Sequence, residues 1–308
     1  MRPLPTLRQL RYLVTVVELR HFGQAAEACF VTQSTLSAGI QELEDILGVV
    51  LIERTRRKVL PTPLGLELAE RARRVLREVE DMAELAQASR QPLTGEIRLG
   101  VIPTVGPFLL PKVLPALRET YPQLKLFLRE EQTARLLDQL SAGDIDLALL
   151  ALPYDAPDAE FMTVGHDRFL VALPKTHPLA RAGHIAPEDL DVQDMLLLEE
   201  GHCLREHALS ACHLVADRNA QAIQGTSLYT LVQMVASGLG ITFLPEMALD
   251  SDILKGVDVA LRPLSDEHAG RGIGLAWRRS SGRKAEFRLL GEFLRTQLDY
   301  RNAKVITP

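Results

Sequence analysis

The spacing of apolar residues changes near residue 90, and this change most constrains how the chain can fold. Before it, apolar residues recur at helical intervals. From Gly95 onward, short apolar runs typical of strands alternate with helical stretches. A chain of 308 residues is long enough for two or three domains. The sequence therefore predicts an α/β protein with a small, mainly helical N-terminal domain and a larger α/β domain after it.

The first sixty residues contain three short helical periods. Their apolar stripes are Leu7, Leu10, Val14 and Val17, then Phe22, Ala25, Ala26 and Cys29, then Leu36, Ile40, Leu43 and Leu47. Thr32 is a good N-cap for the third helix, and Gly48 lies where a C-terminal cap belongs. Residues 49–52 and 59–60 are predicted to form the two strands of a short hairpin.

Two helices joined by a very short turn indicate a helix-turn-helix, and the hairpin after them would be its wing. The third helix begins with short polar side chains that are suited to base edges. These are Thr32, Gln33, Ser34, Thr35 and Ser37. The hairpin tip carries clustered cations that are suited to DNA phosphates. These are Arg54, Arg56, Arg57 and Lys58. The alternative is a small helical core whose polar helix start is only a cap, and the basic tip favours DNA.

Residues 63–92 are predicted to form a linker helix between the winged helix-turn-helix (1–62) and a regulatory domain (93–308). Its apolar residues alternate steps of four and three, which is a heptad pattern. They are Leu68, Ala72, Val75, Val79, Met82 and Ala86. This pattern favours a helix that pairs with a second copy and makes the protein a dimer. The alternative is an amphipathic helix that lies on its own domain.

The regulatory domain is predicted to form two α/β lobes. Strands at 97–102, 124–128 and 145–152, with helices at 107–119 and 133–140, predict a βαβαβ unit with a parallel sheet. A second such series, also with a parallel sheet, has strands at 169–173, 195–198, 222–223 and 241–244 and helices at 204–211 and 228–236. The last strand and helix, 273–277 and 284–298, are expected to return to the first lobe.

This return divides the domain into two lobes. Lobe I would be 93–163 with 267–308, and lobe II would be 164–266. The crossovers between the lobes would lie at 153–163 and 263–268. Ligands are expected in the cleft between the lobes.

The whole chain resembles the LysR-type transcriptional regulators. The resemblance is carried by residues 22–27 (FGQAAE), 31–37 (VTQSTLS), 43–48 (LEDILG), 53–54 (ER) and 62–65 (TPLG). Residues 201–205 (GHCLR), a second cysteine at 212 and residues 102–107 (IPTVGP) resemble the OxyR branch of that family, the hydrogen peroxide sensors. The resemblance implies a homotetramer that binds promoter DNA, with RNA polymerase as a further partner. It also implies a periplasmic-binding-protein-like regulatory domain whose disulfide state changes the DNA contacts.

The three cysteines differ in their expected chemistry. Cys29 lies on an apolar stripe and is expected to be a buried small hydrophobe. Cys203 lies at a strand-to-helix junction, where the helix start, His202 and Arg205 favour the thiolate and two preceding glutamates oppose it. The alternative for Cys203 is an ordinary half-buried cysteine. No cofactor or metal site is predicted, because the cysteines do not form a CxxC set.

The resemblance implies that Cys203 is oxidised by peroxide and then bonds to Cys212. If the nine steps between them are helical, their Cα atoms lie roughly 13 Å apart, whereas a disulfide needs about 4.4–6.8 Å. The helix would have to unwind, so the bond itself would be a conformational switch. The family's peroxide-binding hydroxyls correspond to Thr104 and Thr133, and both have an alternative as helix N-caps. For Thr226 and Ser227 the cap interpretation is the stronger one.

Two other functions stay open from the sequence. A LysR-type regulator that binds a small metabolite in the cleft would leave DNA binding independent of redox state. A thiol peroxidase would also use a sulfenate and a resolving thiol, but the DNA-binding segment argues against an enzyme. The longest apolar run, at 147–152, is far shorter than the ~18 residues of a membrane span, and no secretory signal is evident. A cytoplasmic location is expected.

Overall fold

The protein is described from a computed structural model, which describes residues 3–54, 59–88, 92–211, 224–266 and 268–305. The chain divides into two compact units, Met1–Arg90 and Gln91–Pro308, and each is described by itself. Within the described residues, no helix combines the length and the apolar character needed to cross a membrane.

The N-terminal unit is a winged helix-turn-helix followed by a long helix. Its elements are α1 (Leu7–Leu19), α2 (Phe22–Ala28), α3 (Gln33–Leu47), β1 (Ile52–Arg54), β2 (Val59–Pro61) and α4 (Pro63–Ala88). Strands β1 and β2 pair antiparallel. The predicted caps of α3 are confirmed, because the Thr32 hydroxyl accepts from the Thr35 amide and Gly48 has a φ of 70°. Local capping therefore sets the ends of the third helix.

Two details of this unit differ from the predicted stripes and strands. Leu7 and Leu47 are exposed, and the buried face of α1 is instead centred on Tyr12, Leu13 and Val16. Strand β1 starts at Ile52, later than predicted. The buried carboxylate of Glu44 accepts from the amides of Leu51 (2.7 Å) and Ile52 (3.0 Å). Helix α3 thus holds the chain that leads into the wing.

Helix α4 divides into two stretches with different surroundings. Near its start, Ala69 and Ala72 are buried and Leu68 packs against the core of the unit. Further along, Val75, Val79, Met82 and Ala86 are exposed. The predicted heptad pattern therefore includes two residues, Leu68 and Ala72, that pack within their own unit. The exposed apolar stretch of α4 begins at Val75.

The first lobe of the C-terminal unit contains the predicted βαβαβ unit. Its elements are β3 (Gly95–Val101), α5 (Gly106–Thr120), β4 (Leu124–Glu130), α6 (Thr133–Ala142) and β5 (Leu147–Leu152). Strands β4 and β5 lie parallel on either side of β3. Strand β11 (Gly270–Arg278) then adds to β5 antiparallel, and α9 (Lys284–Val305) packs Phe287, Leu290 and Leu294 into the same core. The predicted return of the last strand and helix is confirmed.

The second lobe differs from its predicted parallel sheet. Its elements are β6 (Ala159–Pro174), β7 (Leu197–Leu198), α7 (Cys203–Ala211), β8 (Gln224–Gly225), α8 (Leu228–Ala236), β9 (Thr242–Pro245) and β10 (Val259–Pro263). Strands β9 and β10 both pair antiparallel with β6, whereas β7 and β8 pair parallel. The lobe therefore combines antiparallel and parallel pairs. The predicted strand at 222–223 lies outside the described residues, and β10 was not predicted.

The first crossover between the lobes lies within strand β6, further along the chain than the predicted 153–163. The first part of β6 pairs with β11 in the first lobe, and its last residues pair with β9 and β10 in the second. Hydrogen bonds along its whole length keep this 16-residue segment extended. One continuous strand therefore connects the two lobes.

Candidate functional site

Cys203 is the first residue of α7 and is buried, 7% exposed. The helix follows the short strand β7, so the predicted strand-to-helix junction is confirmed. Gly201, in the turn before it, has a φ of +94°, and a Cβ there would lie 2.6 Å from Oε1 of Gln132. Because Gln132 directly precedes α6, this turn brings the start of α7 beside the start of α6.

Helix α7 lies between the hydrophobic clusters of the two lobes. Cys203 packs in the cluster of the first lobe, whereas Leu204, Ala208 and Leu209 pack in the cluster of the second. The cysteine side chain therefore faces across the interlobe boundary, although α7 belongs to the second lobe in sequence order.

Thr104 lies between β3 and α5 and is 3% exposed. Its hydroxyl oxygen accepts from Nη1 of Arg271 at 2.7 Å, and its carbonyl accepts from Nη2 at 2.8 Å. The same guanidinium forms a fully buried ion pair with Asp167 (3.0 Å), whose other oxygen accepts from the Met247 amide. Helix α5 has Val105 as its N-cap residue and no side-chain cap. The Thr104 hydroxyl is therefore not a helix cap.

The direction of this hydrogen bond decides what Thr104 can do. A guanidinium only donates, so the Thr104 oxygen is the acceptor and its own O–H proton is available to another group. Arg271 thus orients a buried hydroxyl as a donor.

Thr133 is the first residue of α6 and is 2% exposed. Its Oγ1 is buried and has no hydrogen-bond partner among the residues that the structure describes. Because Gln132 is the N-cap residue and makes no side-chain cap, the cap alternative for Thr133 is also wrong. A buried hydroxyl without a partner is costly, which is typical of a site that a ligand completes.

Two further hydroxyls, Thr226 and Ser227, lie near a predicted helix start, and one of them is the cap. Ser227 is the N-cap of α8, and its Oγ accepts from the Thr230 amide at 3.2 Å. Thr226 is exposed. The cap interpretation is confirmed for Ser227.

His202 and Arg205 flank Cys203 in the sequence, and the structure describes the surroundings of each. Burial lowers the pKa of the half-buried His202, and the charge of Glu199 opposes this only in part. The imidazole is therefore a weaker source of positive charge than its position in the sequence indicates. Nη1 of Arg205 donates to the Leu198 carbonyl at 3.3 Å, which connects the first turn of α7 to β7.

The structure describes one of the other two cysteines. Cys29 is half-buried, and its Sγ lies 3.5 Å from Oγ1 of Thr15 in the N-terminal unit. Cys212 lies outside the described residues. Its predicted role stays a prediction.

Three residues at this site were missed from the sequence: Arg271, Asp167 and His207. The signal for Arg271 is a charge just before an apolar stretch of strand, residues 272–277, where burial demands a partner. Asp167 lies directly opposite it in the β6–β11 register. His207 lies four residues after Cys203, the spacing that places two side chains on one helix face.

Four of the five predicted DNA-contacting side chains at the start of α3 are exposed. Thr32 lies at the centre of a hydroxyl cluster, with Ser34 at 3.0 Å and Thr35 at 2.8 Å. Gln33 is exposed beside them, and Ser37 is half-buried. Arg56, Arg57 and Lys58 lie outside the described residues, as does the side chain of Arg54. The structure therefore describes the helical part of the predicted DNA-binding surface.

Comparison with known families assigns both units. Residues 7–66 match the family described as "Bacterial regulatory helix-turn-helix protein, lysR family". Residues 90–299 match "LysR substrate binding domain". The chain belongs to the LysR family of transcriptional regulators. The predicted family resemblance and fold class are confirmed.

Relatives within the LysR family match almost the whole chain. The HTH-type transcriptional regulator EstR of Acinetobacter baylyi is 41% identical over 295 residues, covering 96% of this chain and 98% of EstR. The DNA-binding transcriptional dual regulator OxyR of Escherichia coli K12 is 40% identical over 300 residues, 97% of this chain and 98% of OxyR. A full-length OxyR from Pseudomonas aeruginosa with a cysteine-to-aspartate substitution superposes with a TM-score of 0.76. It is 37% identical, and the superposition covers 95% of this chain and 98% of the Pseudomonas chain.

Proposed function

We propose that this LysR-family regulator senses hydrogen peroxide at Cys203 and that the resulting disulfide with Cys212 changes its contacts with promoter DNA. One observation carries the proposal: a buried thiol faces the first lobe at a helix start, and the buried hydroxyls of Thr104 and Thr133 serve no helix as caps. Similarity to proteins named OxyR supports the same substrate. A regulator that acts on promoters works in the cytoplasm.

The first step oxidises Cys203. Its thiolate attacks one peroxide oxygen, the O–O bond breaks, and the second oxygen leaves as hydroxide and takes up a proton to become water. Thr104, oriented as a donor by Arg271, is suited to stabilise the leaving oxygen. Thr133 is suited to bind the same small molecule, because its hydroxyl lacks a protein partner among the described residues. His202 and Arg205 complete the predicted peroxide site.

The second step is attack of the Cys212 thiol on the Cys203 sulfenate, with loss of water. Helix α7 spans Cys203–Ala211, and eight helical steps separate its end Cα atoms by roughly 12 Å. One further residue can bring the chain back toward Cys203 by only about 3.8 Å between Cα atoms, which leaves about 8 Å to close while α7 is intact. A disulfide allows at most about 6.8 Å. Helix α7 must therefore rearrange for the bond to form.

The DNA-binding roles follow from the helix-turn-helix. In this proposal Thr32, Gln33, Ser34, Thr35 and Ser37 approach base edges, and Arg54, Arg56, Arg57 and Lys58 contact phosphates. The exposed apolar stretch of α4 supports a dimer through the linker 63–92. The same proposal includes assembly to a tetramer and contact with RNA polymerase. It also includes the domain boundaries at residues 62 and 92.

Footprinting of a candidate promoter with reduced and oxidised protein tests the function. We expect different protected regions in the two states, and identical footprints would instead favour a metabolite-responsive regulator. Mass spectrometry after a short peroxide pulse tests the residues. Cys203→Ser should leave position 212 unmodified, and Cys212→Ser should accumulate a trappable sulfenate at Cys203. Rapid turnover of peroxide with a recycling reductant would indicate a thiol peroxidase.

The dimer has its own test in Val79→Glu, which places a charge in the exposed apolar stretch of α4. Sedimentation should show monomers, and operator affinity should fall. A dimer of unchanged stability would contradict pairing through this helix.

A further inference from the structure

His207 connects α7 to the first lobe. It lies in the middle of the helix, and its Nε2 is 3.4 Å from the carbonyl oxygen of Pro153. A carbonyl only accepts, so Nε2 carries the proton and donates it. Pro153 directly follows β5, which is hydrogen-bonded to strands on both sides. The contact therefore attaches α7 to a rigid part of the other lobe.

The second ring nitrogen of His207 is enclosed. Nδ1 is buried and has no hydrogen-bond partner within the described part of the chain. With Nε2 protonated, Nδ1 is an acceptor in the neutral ring, and a second proton there would be a buried donor without an acceptor. The geometry thus favours the neutral ring while α7 is docked.

Charged groups around His207 act in both directions. Burial is the largest cause that lowers the pKa of His207, and Arg271 on β11 lowers it further. The Pro153 carbonyl and Glu206, its neighbour on α7, raise the pKa in part. Cys203 lies one turn earlier on the same helix. A protonated His207 is therefore disfavoured where it now lies.

We propose that His207 is a positioning residue whose hydrogen bond to Pro153 holds α7, and with it the Cys203 thiol, against the first lobe in the reduced protein. This inference rests on the proposed function, because it assigns His207 to the helix that must rearrange when the disulfide forms. Among the described side chains of α7 with a hydrogen bond, His207 contacts the first lobe, whereas Arg205 contacts its own lobe.

Hydrogen exchange of the reduced full-length protein tests the contact without any oxidation. His207→Leu removes the donor, and the α7 amides should exchange about 2- to 12-fold faster, as expected for loss of one net hydrogen bond. His207→Gln can still donate to the Pro153 carbonyl and should keep the slow rate. Ser210→Ala, at an exposed position of α7, is the matched control and should not accelerate exchange. Equal exchange in the parent and the Leu variant, or equally fast exchange in the Leu and Gln variants, would overturn the proposal.

The pH dependence distinguishes a positioning role from simple packing. The pKa of docked His207 is lowered, so the docked helix binds fewer protons than the released one. Docking should weaken as the pH falls below about 6.5, the ordinary histidine value. At each pH, the exchange rate of the α7 amides in the parent is divided by the rate in His207→Gln. This ratio should increase as the pH is lowered through this range. A constant ratio would contradict the role assigned to His207.

Peroxide-pulse kinetics link this contact to the switch. In His207→Leu the Cys203–Cys212 disulfide should form about 2- to 12-fold faster once the sulfenate is present. Unchanged closure together with accelerated exchange would overturn the link to the switch. A parent protein that forms no disulfide at all would refute the proposed function, and the exchange experiment would still decide the contact.

Discussion

Hydroxyl side chains lie at helix starts in both units of the protein, and their surroundings are opposite. At the start of α3, Thr32, Ser34 and Thr35 are exposed and hydrogen-bonded to one another. In the regulatory unit, Thr104 and Thr133 are buried. One of these accepts from a buried guanidinium, and the other has no partner among the described residues.

The difference shows how each surface can bind its ligand. An exposed hydroxyl exchanges water for a base edge at small cost, so the α3 cluster can adapt to the groove that it enters. A buried hydroxyl without a partner costs about 1–3 kcal/mol, and a ligand that supplies the partner recovers this free energy. The regulatory site is therefore preorganised for one small hydrogen-bonding molecule. The variants described next test the exposed and the buried hydroxyls separately.

Arg271→Leu should have the largest effect, because it removes the group that orients Thr104 and leaves Asp167 buried without a counter-charge. We expect the free energy of unfolding to fall by about 3–5 kcal/mol. Urea unfolding followed by the fluorescence of Trp277, the single tryptophan of the chain, measures it. Arg135→Leu, which breaks an exposed pair with Glu131, is the control and should cost less than about 1 kcal/mol. Equal losses would contradict the buried role of Arg271.

Thr133→Val should separate reactivity from stability. Valine has nearly the same shape and removes a buried hydroxyl that has no protein partner, so the free energy of unfolding should stay constant or rise by up to ~1 kcal/mol. The rate of Cys203 oxidation should fall about 10- to 100-fold, as expected for a lost hydrogen bond to a charged transition state. Sulfenate trapping in a Cys212→Ser background measures the rate. Thr133→Ser keeps the hydroxyl and should keep the rate, and a slow Ser variant would argue against this assignment.

Thr35→Val tests the exposed cluster in the same way. Operator binding should weaken by about 1–3 kcal/mol with altered base preference, while the free energy of unfolding changes by less than about 0.5 kcal/mol. Fluorescence anisotropy with operator variants at one fixed salt concentration measures both affinity and preference. Binding to unrelated DNA is the internal control and should not change. A uniform loss on every sequence would indicate a backbone contact instead.

Ser227→Ala should have the smallest effect, because this hydroxyl only caps α8. The free energy of unfolding should fall by about 1 kcal/mol, and the rate of Cys203 oxidation should match the parent. Urea unfolding and sulfenate trapping on the same preparation measure both quantities. A slower oxidation would place Ser227 in the site and weaken the distinction between capping and binding hydroxyls.

The sequence predicted the helices more closely than the strands of the second lobe. Helix α8 has the predicted bounds, 228–236, and α3 ends at the predicted glycine. These ends depend on apolar spacing and caps within a few residues, which are local. Strand β6 was predicted only at 169–173, because its first part is extended by pairing with β11, more than a hundred residues later in the chain. No local pattern carries that information.

The sequence by itself determined the family, the helix-turn-helix and the place of Cys203 at a helix start, because periodicity, capping residues and short motifs act over one or two helical turns. The tertiary structure decided which hydroxyls are caps and which are available to a ligand. Thr104 and Arg271 lie 167 residues apart in sequence and 2.7 Å apart in space. The hydrogen-bond partner of a buried polar group depends on which strands become neighbours, and long-range packing sets this.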